Sequence, residues 1–105
     1  MKYRFHPEAR FELLESISYY EGCQEGLGGR FFDAIDQAVQ KVVRYPDRWR
    51  KFDGDVRRCL VRVFPYVLLY TIESDSVLIV AVMHCSREPG YWKDRIPPEA
   101  KGGGL

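Results

Sequence analysis

No sign of charge dominates this chain, no cysteine pattern organises it, and its N-terminus carries no long hydrophobic run. The 16 Lys and Arg residues nearly cancel the 15 Asp and Glu residues. A global field drawing the protein to nucleic acid or an anionic membrane is therefore excluded, and any such partner must be met by a local patch. The three cysteines, Cys23, Cys59 and Cys85, are odd in number and lack CxxC spacing. That argues against a disulfide framework and against a zinc site, and leaves them as reduced thiols. The opening MKYRFHPEAR reaches a helix-start signal within a few residues, without the apolar stretch of a signal peptide or membrane span. The expected setting is cytoplasmic, with no membrane partner and no cofactor.

What is present suits one compact domain: 105 residues with 46% hydrophobic content, enough for a single continuous core. Tyr3 and Phe5 alternate with Lys2, Arg4 and His6 in a short half-buried strand, ended by Pro7 at the first turn of a helix. From Glu8, the residues Ala9, Leu13, Ile17 and Tyr20 recur at helical spacing, with Glu8, Glu12 and Glu15 mostly on the other side, up to Gly22. Leu27, Phe31, Ile35, Ala38 and Val42 form a second apolar stripe running to Pro46. Gly26, Gly28 and Gly29 read as the turn between two antiparallel helices, since no strand precedes them and no GK[ST] follows.

Asp47 to Asp55 has no sustained period and reads as a loop, basic and aromatic at once. Three β-rich runs follow, Val56 to Val63, Tyr66 to Ile72 and Val77 to His84, and their short connections predict antiparallel hairpins. The last run is apolar on both faces, as a covered or central strand requires. The expected architecture is α+β, in the order β-α-α-β-β-β, with an antiparallel-rich twisted sheet packed on a helical hairpin. One domain spans 1–96. Residues 97–105, ending in Gly102, Gly103 and Gly104, read as a flexible tail.

Two groups of residues have chemical potential. In the strand Arg57-Arg58-Cys59-Leu60-Val61-Arg62, alternation places Arg58 and Arg62 on one face and Arg57 on the other. Each guanidinium offers a planar fork for phosphate or carboxylate; the competing reading is a solvated face or ion pairs with helix glutamates. The second group is His84 to Arg95. It combines a histidine able to move a proton, an arginine able to stabilise anionic charge, and aromatic rings able to stack on a base. This is the inventory of a metal-independent endoribonuclease, with His84, Arg87 and Tyr91 as catalytic candidates. The competing structural reading has His84 capping the strand, Arg87 paired with Glu88 or Asp94, and Tyr91 and Trp92 covering the open sheet edge. Cys85 is set aside as a nucleophile because it and His84 point to opposite faces.

Tyr19-Tyr20-Glu21, Gly26-Leu27-Gly28, Arg57-Arg58, Phe64-Pro65-Tyr66 and His84-x-x-Arg87-x-Pro89-x-Tyr91-Trp92, taken in this order, resemble the RelE/ParE superfamily of toxins from type II toxin-antitoxin systems. The resemblance covers nearly the whole chain. It implies a plasmid-stabilisation-type toxin causing growth arrest and a cognate antitoxin whose C-terminal segment wraps it. RelE-like members cut mRNA in the ribosome, whereas ParE-like members poison DNA gyrase. Arg87 and Tyr91 match the late arginine and aromatic of the RelE pattern, but Val67 stands where those nucleases commonly carry an arginine. The long helical hairpin also looks ParE-like. The expectation is therefore a gyrase inhibitor, with a ribosome-dependent mRNA endonuclease as the alternative and an inactive homologue acting as corepressor as a third. Arg57, Arg58, Arg62, Trp92 and Arg95 are the expected residues for binding target or antitoxin.

Overall fold

The computed structural model describes residues 1–97; the expected tail from Pro98 onward lies outside the described residues. Strand β1 (Lys2–Phe5) leads into helix α1 (Pro7–Cys23) and helix α2 (Leu27–Arg44), and then into β2 (Lys51–Asp53), β3 (Val56–Leu60), β4 (Tyr66–Ile72) and β5 (Ser76–His84). The sheet order is β1-β5-β4-β3-β2. The strands β2 to β5 pair antiparallel, while β1 lies parallel to β5. A parallel pair needs a crossover connection, and the helical hairpin supplies the first part of it.

The helix start follows the sequence. Pro7 opens α1, and the Nδ1 of His6 accepts a hydrogen bond from the Glu8 amide at 3.1 Å, satisfying one of the free amides of the first turn. On α1 the stripe buries Ala9 and Leu13, with Ile17 and Tyr20 half-buried; on α2 it buries Phe31, Ile35, Ala38 and Val42. These side chains meet Cys59, Tyr66, Leu68, Tyr70, Val77, Ile79 and Val82 of the sheet in the principal core.

The turn between the helices differs from expectation. Only Gly26 lies in it, at φ 86°, a left-handed conformation that glycine adopts without penalty. Gly28 and Gly29 already belong to α2. A Cβ on Gly28 would come within 2.7 Å of the Ile17 carbonyl oxygen, so this glycine allows the two helices to approach. Glu21 caps α2 from the end of α1, its carboxylate accepting from the amides of Gly26 at 2.9 Å and Gly28 at 3.0 Å. Negative charge at that position also complements the helix dipole.

The segment from Asp47 to Asp55, expected as a loop, contains a strand. Three residues, Lys51–Asp53, form the antiparallel edge strand β2, and Gly54 turns the hairpin at φ 58°. A segment this short shows no alternation to read. Conversely, β3 stops at Leu60 rather than Val63, because Val63 takes a positive φ of 75° that no regular strand tolerates.

Candidate functional site

The site begins with a fault in β5. Leu69 of β4 pairs with Ala81 while the next residue, Tyr70, pairs with Ile79, so Val80 is an extra residue bulged out of register. The bulge resets alternation. Val77, Ile79 and Val82 face the helices, whereas Leu78, Val80 and Ala81 face the opposite side. It also turns polar backbone groups of β5 toward its outer edge, where β1, in register only with Ser76 to Ile79, gives no cover.

Glu12 and Arg95 fill that gap. The Val82 amide donates to Glu12 Oε1 at 3.0 Å, and Arg95 Nη1 donates to the Val80 carbonyl at 3.1 Å. The two side chains form a forked pair, Nη1 to Oε1 at 3.1 Å and Nη2 to Oε2 at 3.0 Å, with 11% exposure for Arg95 and 15% for Glu12. The Tyr91 hydroxyl donates to Glu12 Oε2 at 2.7 Å. Glu12, expected on the solvent side of α1, is therefore the residue that organises this end of the sheet. Its position directly before buried Leu13 was the available signal, because it borders the apolar stripe. Burial works against the charge on Arg95, but the hydrogen bonds and charge of Glu12 outweigh it and raise its pKa. Burial, then the hydrogen bond to Glu12, pushes the Tyr91 hydroxyl well above the ordinary tyrosine range. Tyr91 is thus a neutral donor already in use, poorly placed to exchange a proton near neutral pH.

The chain beyond β5 folds back over the sheet face away from the helices. Trp92, 3% exposed, and Ile96, 8% exposed, pack in a second cluster with Val56, Val67, Leu69, Leu78, Val80 and Ala81. Trp92 covers this face, and the Glu12–Arg95 pair, with Tyr91, closes the edge that the aromatics were expected to cover. Position 67, where the RelE-like pattern has an arginine, sits in this cluster at 3% exposure.

His84 is engaged through Nδ1, which meets the Ser86 amide at 3.0 Å and the Ser86 hydroxyl at 2.7 Å, and its ring meets Tyr66 edge-on at 5.1 Å. It caps the strand end. Arg87 is exposed and stacks on the Tyr91 ring, its guanidinium carbon 3.8 Å from the ring centre, rather than pairing with Glu88 or Asp94. Hence Arg87, Tyr91 and Arg95 are brought together around one ring, with Arg95 5.0 Å from its centre.

The basic strand divides. Arg57 turns toward the helix side and donates to the backbone oxygens of Trp49 at 2.7 Å and Asp47 at 3.3 Å, which commits it to holding the 47–50 turn. Arg58 is exposed and lies 5.3 Å from the Phe52 ring centre, and Phe52 in turn is 6.0 Å from Trp92. Arg62 does not share a strand face with Arg58, because pairing ends at Leu60. It lines a cleft of about 480 Å³ with Leu27, Arg30, Ala34, Val63 and Phe64. Neither Arg58 nor Arg62 has an ion-pair partner among the described residues. Of the remaining motif residues, Tyr20, Phe64 and Tyr66 are structural, forming one aromatic cluster with Phe31 at ring-centre distances of 4.8 to 6.2 Å, while Tyr19 is exposed.

Residues 3–89 match the family model of the ParE toxin of the type II toxin-antitoxin system parDE. The chain belongs to the ParE toxin family. The fold agrees: a chain of a chromosomal ParDE TA system from P. aeruginosa superposes with a TM-score of 0.60 at 14% identity, over 80% of this chain and 95% of that one. No curated protein matches the sequence. Membership makes this a toxin of a type II toxin-antitoxin system, with an antitoxin as its partner. The family match ends before Tyr91, Trp92 and Arg95, so their arrangement is read from this chain's own geometry. Among the described residues no helix is long and apolar enough to cross a membrane, and no group of His, Cys, Asp and Glu is arranged to hold a metal ion.

Proposed function

We propose that the toxin arrests growth in the cytoplasm by binding and inhibiting DNA gyrase, not by cutting RNA. The observation that carries this reading is the commitment of the ribonuclease-like residues to structure. Tyr91 donates to Glu12, His84 Nδ1 is taken by Ser86, and position 67 is apolar and buried. An RNA-cleaving site needs a free base and cations aimed at the scissile phosphate. The exposed cations Arg58 and Arg87, held on Phe52 and Tyr91, instead suit a protein-binding surface, with arginines fixed beside aromatics as interface anchors.

The antitoxin's C-terminal segment is assigned to the outside of the helical hairpin and the neighbouring β3–β4 turn. Phe11, Leu14 and Tyr19 of α1 are 53 to 66% exposed, and Leu60 at the end of β3 and Val63 in the turn are 71% and 92% exposed. An extended segment that orders on binding can cover such separated apolar side chains.

Induction of the toxin alone tests the target. Expected are inhibition of gyrase supercoiling, DNA-damage signalling and filamentation before mRNA is lost, with rescue by the neighbouring antitoxin frame. Rapid cleavage of mRNA at the ribosomal A site with gyrase activity intact would overturn the reading.

A further inference from the structure

We propose that the C-terminal end of α2 and the turn after it form a binding surface for the phosphodiester backbone of double-stranded nucleic acid. The chain as a whole is nearly neutral, yet Lys41 to Lys51 contains Lys41, Arg44, Arg48, Arg50 and Lys51 against a single acid, Asp47. The fold sharpens this imbalance. Asp47 pairs with Arg57 at 3.4 Å, and Lys51 pairs with Asp55 at 3.1 Å. Lys41, Arg44, Arg48 and Arg50 remain exposed, without an ion-pair partner among the described residues.

These cations are partly ordered in advance. Tyr45 stands 49% exposed between Arg44, 6.0 Å from its ring centre, and Arg48, 4.9 Å away; Arg48 also lies 5.7 Å from the Trp49 ring centre. A guanidinium held against a ring keeps its N–H edge free for phosphate, and less rotamer freedom remains to be lost on binding. Lys41 and Arg44 are one helical turn apart and line an open depression of about 580 Å³ with Met1, Gln40, Val43 and Tyr45. The helix dipole accounts for Lys41 and Arg44 as favourable cations at a C-terminus. It does not account for Arg48 and Arg50, which lie beyond the helix. An acidic protein segment would seek several apolar anchors beside its charges; the exposed large apolar side chains here are Met1 and Tyr45, at 54% and 49%, and Tyr45 is already flanked by Arg44 and Arg48, whereas Phe11, Leu14, Tyr19, Leu60 and Val63 lie elsewhere, on α1, at the end of β3 and in the β3–β4 turn.

The test is binding of the full chain to a short mixed-sequence DNA duplex and to the matching RNA duplex, followed by fluorescence anisotropy as salt is raised. Four phosphate contacts predict a slope of log K against log salt of about −3.6 for DNA, a loss of roughly a hundredfold between about 50 and 200 mM salt. The double variant Arg44→Ala/Arg48→Ala should halve that slope while keeping the native circular dichroism spectrum. Arg10→Ala, on the exposed side of α1, should bind like the parent. Preference between the two duplexes identifies the natural source of the backbone. No binding at low salt, an equal effect from Arg10→Ala, or equally tight binding of poly-aspartate would each overturn the proposal. Neither gyrase nor antitoxin enters the measurement, so its failure leaves the gyrase reading standing, and the reverse also holds.

Discussion

Replacing Glu12 by alanine should cost the toxin about 3 kcal/mol of stability, a large part of the 5–15 kcal/mol typical of a domain. Four hydrogen bonds converge on its carboxylate: from the Val82 amide, the Tyr91 hydroxyl and both terminal nitrogens of Arg95. Two charges at contact distance in a medium of intermediate polarity attract by about 4 kcal/mol, against which desolvation must be set. Truncation removes the attraction but leaves Arg95 facing the Val80 carbonyl and little water. A fully buried broken pair costs about 3–5 kcal/mol, and the residual exposure of 11% and 15% argues for the lower end. Glu12→Gln keeps the shape and one acceptor but loses the charge, so about 1–2 kcal/mol is expected.

Urea unfolding provides the assay. With a slope of about 1–1.5 kcal/mol per molar for a domain of this size, Glu12→Ala should move the midpoint down by about 2–3 M. Pairing it with Arg95→Met in a double-mutant cycle isolates the contact, because methionine restores an uncharged neighbour. A coupling of about 2 kcal/mol is expected; additivity within about 0.5 kcal/mol would refute the assignment of Glu12 as the residue that closes the bare edge of β5.

Two further outcomes follow from the same reasoning. Stability should fall as pH rises above about 10, because unfolded tyrosines ionise there, while burial holds Tyr70 protonated to about 12 and holds Tyr91 above the ordinary range. The folded state then binds more protons than the unfolded one, so the sign is loss of stability with rising pH; a flat profile through this window would contradict the burial of both hydroxyls. Val63→Asn should raise stability by about 1 kcal/mol, or roughly 5 °C in Tm, since a left-handed backbone is costly for a β-branched side chain. At 92% exposure the valine contributes no packing to lose, so a lower Tm would refute this.

Much of the fold was legible because its signals are periodic. The stripes Ala9 to Tyr20 and Leu27 to Val42 placed two helices, and the runs around Leu68 and Val80 placed the central strands. Departures occurred where geometry is decided by one or two residues. Gly28 looked like turn material, but its role is to let α1 and α2 approach. Strand β2 is too short for a pattern. The β5 bulge is invisible in VLIVAVMH because residues on both faces are apolar, so a slip in alternation leaves no mark. Arg58 and Arg62 were separated for a related reason: alternation holds only while pairing continues, and it stops at Leu60.

The candidate site was legible as a collection of residues but not as a set of commitments. His84, Arg87, Tyr91 and Arg95 could be named from the sequence; that Glu12 would take the hydroxyl of Tyr91 and the fork of Arg95 depended on α1 passing the bulged edge of β5, contacts between residues 79 and 83 positions apart. The same distinction changes the meaning of Val67. In the sequence it is an arginine that is missing, which one substitution would restore. In the structure its side chain is in a closed cluster beneath Trp92 and Ile96, where a lone cation would meet a desolvation penalty of several kcal/mol. Restoring the cation would therefore require the covering segment to leave as well. The departure from the nuclease pattern is thus built into the packing of the second sheet face, and it supports inhibition by binding more firmly than the identity of residue 67 alone.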